Sequence, residues 1–488
     1  MKRDATGFLT SAIIGRRHIM LTAFISLSVI LAALLILPTP FNLLPFVIIC
    51  GIGFLFLSIK FPMIGIMIYM LIYFVRPQEL FPGVALFSYP YEKIVAIIVI
   101  MNLILDYAVN GKKIKILKMD LAIVGILGAA FLSIMTAIWI SWAWMEFQKF
   151  FKIVIVYFFI TRLVDSPDKF KWIVWLYVIS TGFIAVSSTM NYYSGNYQTA
   201  MGINRAVGLG EGGAYGDPNT MATTLVLGLP FMFYLAKAYR RALARALLFA
   251  LIPICLWTVI ITGSRGGMLG AAFIMFVLAW NTRQKVAATV AVLLLIIGAL
   301  LVMPEQYTQR LTTIFHIDSA YDESGAAESA QGRIKGLKVG FEILINRPPA
   351  GAGIGCFSLY NREHHGSSLN AHNLLGQVMG DLGFLGLVAF GFLVYMMVRH
   401  YRYIKSLYKS RNWERDFNFY VSFAAIISVI ALFFQGVFGH NAYRFNWYIY
   451  ACFLAVVVGL VEQRRKAEEA AIPEPRPDEL SILFQETP

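Results

Sequence analysis

Apolar runs of about 20 residues follow one another almost from end to end of this chain, and no other feature constrains its fold as strongly. A helix needs about that length to cross the hydrocarbon of a bilayer, and inside lipid each backbone N–H and C=O must be satisfied within its own segment. With 58% hydrophobic and 14% charged residues among 488, the chain leaves nothing over for a soluble domain of ordinary size. The pattern predicts an all-α membrane protein. Its spans are expected at residues 19–37, 43–59, 62–75, 91–108, 120–140, 150–163, 170–190, 219–236, 246–262, 266–280, 286–303, 380–398, 417–435 and 444–461, about fourteen in all.

A net charge of +14 would point to nucleic acid in a soluble protein, but here the cations sit in short clusters between apolar runs, so no nucleic-acid partner is expected. Such clusters fall at Lys112, Lys113, Lys115 and Lys118, at Arg162, Lys169 and Lys171, at Lys237, Arg240, Arg241 and Arg245, at Arg283 and Lys285, at 399–415, and at Arg464, Arg465 and Lys466. They occupy alternate loops, which puts both termini in the cytoplasm and the remaining loops on the opposite side. Lys2, Arg3, Arg16 and Arg17 precede the first apolar run as in a signal peptide, yet Pro38-Thr39-Pro40 follows it instead of a small-residue cleavage site, so it reads as a membrane anchor. The cysteines, Cys50, Cys255, Cys356 and Cys452, show no CxxC spacing and are read as structural. The expected organisation is a cytoplasmic start at 1–18, a bundle of spans over 19–303, a long outer loop at 304–379, further spans over 380–461, and a disordered cytoplasmic tail at 462–488.

A connection as long as 304–379 is usually functional or disordered. In it, Arg333, Leu337, Phe341 and Leu344 recur at helical spacing until Asn346-Arg347-Pro348-Pro349 ends the pattern, so 328–346 is predicted to be an amphipathic helix on the membrane surface. A turn built on Gly351, Gly353 and Gly355 follows, and a new helix is expected from Ala371, capped by Asn370.

Charged groups close to hydrocarbon are costly and by default suspected of function. Arg265 stands alone between two apolar runs in Gly263-Ser264-Arg265-Gly266-Gly267, where glycine N–H groups beside a guanidinium can hold an anion. Its bland reading is an interfacial anchor that snorkels to headgroups. Arg333 shares the predicted helix face of Leu337 and Phe341, and an arginine there needs an anionic partner. The competing view is an ordinary basic face on a surface helix. His372, in Asn370-Ala371-His372-Asn373, lies at a predicted helix start whose positive end disfavours imidazolium, which would leave the ring neutral and ready to accept a proton. A lone histidine is more often structural. Asp217 and Asn219 in Gly216-Asp217-Pro218-Asn219 are explained as a helix cap and are weaker site candidates, as are Asn373, His440 and Arg444. His364, His365 and His372 lack a carboxylate or cysteine at ligand spacing, so no metal and no cofactor is expected.

These residues resemble the O-antigen ligase and O-antigen polymerase family of bacterial membrane glycosyltransferases. The likeness is most specific from Glu328 to Phe390: the Gly332-Arg333 pair, the Arg-Pro-Pro-Ala-Gly-Ala-Gly-Ile-Gly turn at 347–355, and Ala371-His372-Asn373 followed by Gly-Asp-Leu-Gly-Phe-Leu-Gly at 380–386. The Ser264-Arg265-Gly266 turn and Asp217-Pro218-Asn219 are also similar, and Phe74-Val75-Arg76-Pro77-Gln78-Glu79 resembles exosortase-associated O-glycosylation ligases. About fourteen spans is slightly more than the dozen usual in that family.

The resemblance implies transfer of a preassembled glycan from an undecaprenyl-diphosphate-linked donor, without metal, in the bacterial inner membrane with the active site periplasmic. His372 would take the proton of the attacking hydroxyl while Arg265 and Arg333 hold the diphosphate, with inversion at the anomeric carbon. Asp217, Asn219, Asn373, His440 and Arg444 would complete the substrate contacts. The acceptor is left open between the lipid A core, another glycan chain, as in a polymerase, and a protein hydroxyl. A lipid-linked oligosaccharide flippase is the competing class, but the spans carry almost none of the polar groups a translocation path needs. A metal-dependent lipid-sugar transferase would want carboxylates in the first outer loop, and 38–42 has none.

Overall fold

A computed structural model describes residues 53, 57–58, 61–75, 91–109, 111, 115–200, 202–208, 216–312 and 326–471. The expected span at 19–37, most of that at 43–59, the motif residues 76–79 and the tail beyond 471 lie outside them. The described chain runs through α1 (Pro62–Val75), α2 (Tyr91–Val109), α3 (Lys118–Met135), α4 (Ile140–Leu163), α5 (Pro167–Tyr193), β1 (Gln198–Ala200), β2 (Ile203–Arg205), α6 (Pro218–Ala238), α7 (Ala242–Ile261), α8 (Arg265–Trp280) and α9 (Lys285–Val302). It continues through α10 (Glu305–Thr312), α11 (Ala326–Asn346), α12 (Phe357–His365), α13 (Leu374–Ser410), α14 (Phe417–Gly436) and α15 (Phe445–Ala470).

Among the described residues eight helices, α3, α5, α6, α7, α9, α13, α14 and α15, are long and apolar enough to cross a membrane, and α1, α8 and part of α2 are shorter apolar helices. The chain is therefore an all-α membrane protein. Fourteen such helices are not seen among the described residues. The segment expected to span at 150–163 is the second half of the longer α4, whose first half carries Glu146 and Lys149. A three-residue hairpin departs from the all-helical expectation: β1 pairs antiparallel with β2, Gln198 opposite Arg205.

Short polar residues start the helices. Asp217 accepts hydrogen bonds from the N–H groups of Asn219 and Thr220, with Pro218 at the first helical position, as its sequence predicts. Ser166, Ser264, Asn373 and Asp416 cap α5, α8, α13 and α14 in the same way. Because lipid offers no hydrophobic force between apolar helices, close packing and polar contacts hold the bundle. At its centre Trp447, Tyr450 and Phe453 of α15 are fully buried, the Tyr177 and Tyr450 hydroxyls meet at 2.8 Å, and Ser428 Oγ donates to the Leu227 carbonyl at 3.0 Å.

The 304–379 region is more ordered than its sequence indicates, since α10 and α12 join the predicted α11 in it. Leu337 and Phe341 are exposed, whereas Gly336, Val339, Gly340 and Ile343 are buried. The reason is steric: a Cβ on Gly336 would stand 1.9 Å from the Ala371 carbonyl oxygen, and one on Gly340 2.5 Å from that of Gly376. Only a glycine face lets α11 lie this close to the start of α13.

That start is also displaced from the prediction: Asn373, not Asn370, is the cap. α13 then breaks at Gly383, whose φ of 61° and ψ of −150° suit only glycine. Beyond the break the N–H groups of Phe384 and Leu385 donate to the carbonyls of Pro348 and Pro349 at 2.9 and 3.1 Å, tying α13 to the glycine turn.

Candidate active site

A cavity of about 540 Å3 opens where the N-termini of α6 and α8, strand β2, the beginning of α11, the segment before α13 and the α14–α15 loop converge. Arg265, Arg333, His372, Asp217, Asn219, His440 and Arg444, widely separated in sequence, all line it. Arg205, which the sequence reading passed over, lines it too.

Arg205 is 5% exposed; its Nε donates to the Thr262 carbonyl at 2.8 Å and a terminal nitrogen donates to Asn219 Oδ1 at 3.1 Å. The hairpin that carries it is anchored by the Ala206 N–H on the Ile261 carbonyl at 2.8 Å and by the Tyr307 hydroxyl on the Asn204 carbonyl at 2.6 Å. Burial pulls its pKa down, Asp217 opposes this, and the like charge of Arg265 adds to it. A guanidinium stays charged under such shifts. An isolated cation 12 residues before Asp217-Pro218-Asn219 was the only signal in the sequence, and an arginine in a polar loop is ordinarily unremarkable.

Arg265 is the first residue of α8, behind the cap Ser264, whose Oγ accepts from the Gly267 N–H at 3.2 Å. Ser264, Arg265, Gly266 and Gly267 all border the cavity, so the positive end of the helix and the guanidinium face the same space. Arg333 is half-buried; its Nε donates to the Phe438 carbonyl at 3.4 Å, and its guanidinium lies 5.7 Å from the Phe438 ring centre. Burial and then Arg265 lower its pKa. Among the described residues neither Arg205 nor Arg333 has a carboxylate within ion-pair distance. Arg444 donates to Thr220 Oγ1 at 2.8 Å and to the Thr220 carbonyl at 3.3 Å.

His372 sits in the left-handed region with φ of 49°, a conformation that costs a non-glycine residue energy and is concentrated at functional sites. Burial depresses its pKa and Arg333 depresses it further, against a smaller opposing effect from Asp217, so the ring is neutral at pH 7. The cause differs from the helix end the sequence suggested, since His372 precedes the cap. Its ring lies 5.5 Å from that of His440, whose pKa burial, Arg444 and His372 push down to about 4 and whose Nδ1 is buried with no hydrogen-bond partner among the described residues.

Burial works against the charge of Asp217, yet the Thr220 hydroxyl at 2.6 Å, its N–H at 2.9 Å and the charge of Arg444 hold the carboxyl below its usual range. Asn373, expected to contact substrate, does not border the cavity. Its Oδ1 accepts from the Gly376 N–H at 2.5 Å, and its Nδ2 donates to the Arg333 carbonyl at 3.0 Å and the Ala371 carbonyl at 2.9 Å, joining the two segments that present Arg333 and His372.

A neighbouring chamber of about 300 Å3 shares His440 and Arg444 with the first and is bordered by Trp142, Glu146, Asn370 and Asp381 among others. Among the described residues no three His, Cys, Asp or Glu side chains are grouped to hold a metal. His364 and His365 are engaged elsewhere, with the Tyr360 carbonyl at 3.1 Å and Glu342 at 3.0 Å.

Among the described residues the cavity gathers four arginines and two helix N-termini against one carboxylate, an arrangement suited to an anion, with His372 in its wall. These features define a polytopic helical membrane protein with a cationic cavity beside a potential proton acceptor. Residues 248–391 match the family model described as O-Antigen ligase. The matched stretch runs from α7 into α13 and contains Arg265, Arg333 and His372, while Arg205, Asp217, Asn219, His440 and Arg444 lie outside it. No curated protein matches the chain.

Proposed function

We propose that the protein is a metal-independent, inverting glycosyltransferase that moves a preassembled glycan from undecaprenyl diphosphate to an acceptor hydroxyl on the periplasmic side of the bacterial inner membrane. The observation that carries this reading is the arginine-lined cavity with neutral His372 in its wall. His372 accepts the proton of the acceptor hydroxyl as its oxygen attacks the anomeric carbon. The bond from that carbon to the diphosphate oxygen breaks, and its electron pair leaves with the lipid diphosphate. Arg265 and Arg333, joined by Arg205 and Arg444, meet the negative charge as it grows. Asp217 holds Thr220, on which Arg444 rests. The acceptor comes by way of the chamber that shares His440 and Arg444 with the cavity.

The basic-loop pattern supports about fourteen spans with both termini in the cytoplasm. The acceptor is a lipid A core, a growing glycan chain or a protein hydroxyl. The test is transfer by the purified chain in nanodiscs, given an undecaprenyl-diphosphate-linked oligosaccharide and each acceptor in turn. A glycosidic product with inverted anomeric configuration is expected from one of them. Movement of the donor across vesicles with no transfer to any acceptor would instead identify a flippase.

A further inference from the structure

A second basic cavity, of about 360 Å3, lies at the opposite end of the bundle from the arginine cavity. Glu462 of α15 lies there, about 27 Å along that helix from Arg444 at 1.5 Å per residue. Its walls come from the segment entering α3, the far half of α13 and the end of α15. Lys115, Lys118, Arg399 and His400 face into it, with Ile116, Tyr403, Ala455 and Val458 supplying apolar surface.

Among the described residues the charges there are not balanced from within. Glu462 is the carboxylate in the wall, and its Oε2 already accepts from Arg465 at 2.8 and 3.2 Å. His400 is 7% exposed, and its Nδ1 lies 2.7 Å from the Met396 carbonyl and so carries the proton. Nε2 bonds nothing among the described residues. Beside them, no atom lies within 4 Å of the point where a Cβ on Gly459 would stand, and Ile116 at the rim is 77% exposed. Loop cations that only set topology are spread over a surface, whereas these converge on one hollow with a buried histidine in its wall and apolar surface alongside.

We propose that this cavity binds a phosphate group, carried by an anionic lipid of the adjoining leaflet. Lys115, Lys118 and Arg399 meet the phosphate oxygens, and the acyl chains run out over Ile116 and Val458. The site is independent of the transfer reaction and stands or falls separately from it.

The experiment uses the full chain in nanodiscs of equal phosphatidylglycerol and phosphatidylcholine, with bound lipid measured by native mass spectrometry after release into detergent. Retained phosphatidylglycerol is expected, with affinity reduced about fivefold or more by Arg399→Gln or Lys118→Gln. Arg399→Lys should keep most of it, which separates loss of charge from loss of fold. Arg240→Gln, which removes an exposed cation outside the cavity, should change nothing. Equal weakening by Arg240→Gln, or none by Arg399→Gln, would overturn the site. Displacement of the lipid by millimolar inorganic phosphate would keep the phosphate site and overturn the lipid as its source.

Discussion

Arginines at the two ends of the bundle are held by different kinds of partner. Away from the candidate active site several meet carboxylates. Arg162 lies 2.5 Å from Asp120, both nearly buried, and the Tyr157 hydroxyl donates to the other oxygen of Asp120 at 2.8 Å. Arg411 and Arg465 pair with Glu469, Arg464 with Glu468 and Asp416, and Arg465 also with Glu462. In the active-site cavity, Arg205 and Arg333 are aimed by neutral oxygens: the Thr262 and Phe438 carbonyls and the side chain of Asn219. A carbonyl fixes the direction of a guanidinium without cancelling its charge. The paired arginines are thus part of the fold, and on the proposed function the carbonyl-held ones meet the donor.

The largest effect that bears on this contrast belongs to the base beside the carbonyl-held arginines. His372→Ala should reduce single-turnover transfer by roughly 10²–10⁴-fold and leave donor affinity nearly unchanged. Transfer at the parental rate by a folded variant would make the histidine structural. Because only neutral imidazole accepts a proton and burial with Arg333 lowers its pKa, the acid limb of the pH–rate profile should fall below the ordinary histidine value of 6.5. A half-maximal rate at or above pH 6.5 would contradict that assignment.

Next in size is the split between the two kinds of arginine. Arg162→Ala leaves Asp120 buried and unpaired, which should cost about 3–5 kcal/mol of stability. Arg333→Ala should instead weaken the lipid-diphosphate donor by about 10–100-fold with little loss of thermal stability, and Arg333→Lys should restore only part of it, since a point charge cannot form a bidentate fork. Thermal unfolding and donor titration on both variants decide the matter. If Arg333→Ala unfolds the protein and Arg162→Ala does not, the contrast is wrong.

The smallest effect is expected from chelation. Arginines that already carry the charge-stabilising role need no cation, so EDTA should leave transfer unchanged within error. Loss of activity restored by Mg²⁺ or Mn²⁺ would shift that role to a metal.

By itself the sequence determined the membrane class, because apolar runs of about 20 residues between basic clusters admit few other solutions. It also determined the start of a helix at Asp217-Pro218, since a cap is read from a few adjacent residues. Arg265, Arg333 and His372 were legible as candidates because each stands where a charged or titratable group is conspicuous. Arg205 was not, because only the pairing of β1 with β2 and the anchoring of that hairpin on α7 carry it into the cavity. The face that α11 turns toward the protein was not legible for a related reason: among lipids an apolar side chain need not turn inward, and what turned inward was Gly336 and Gly340, which have almost no side chain to read. Burial itself was equally invisible. α9 has a mean hydropathy of 2.6 and is 6% buried, while α15, at 1.6, is 78% buried. The convergence of four arginines, the protonation state of His372 and the role of Asn373 as a tie rather than a contact all depend on distances between segments far apart in the chain, and those only the tertiary structure decided.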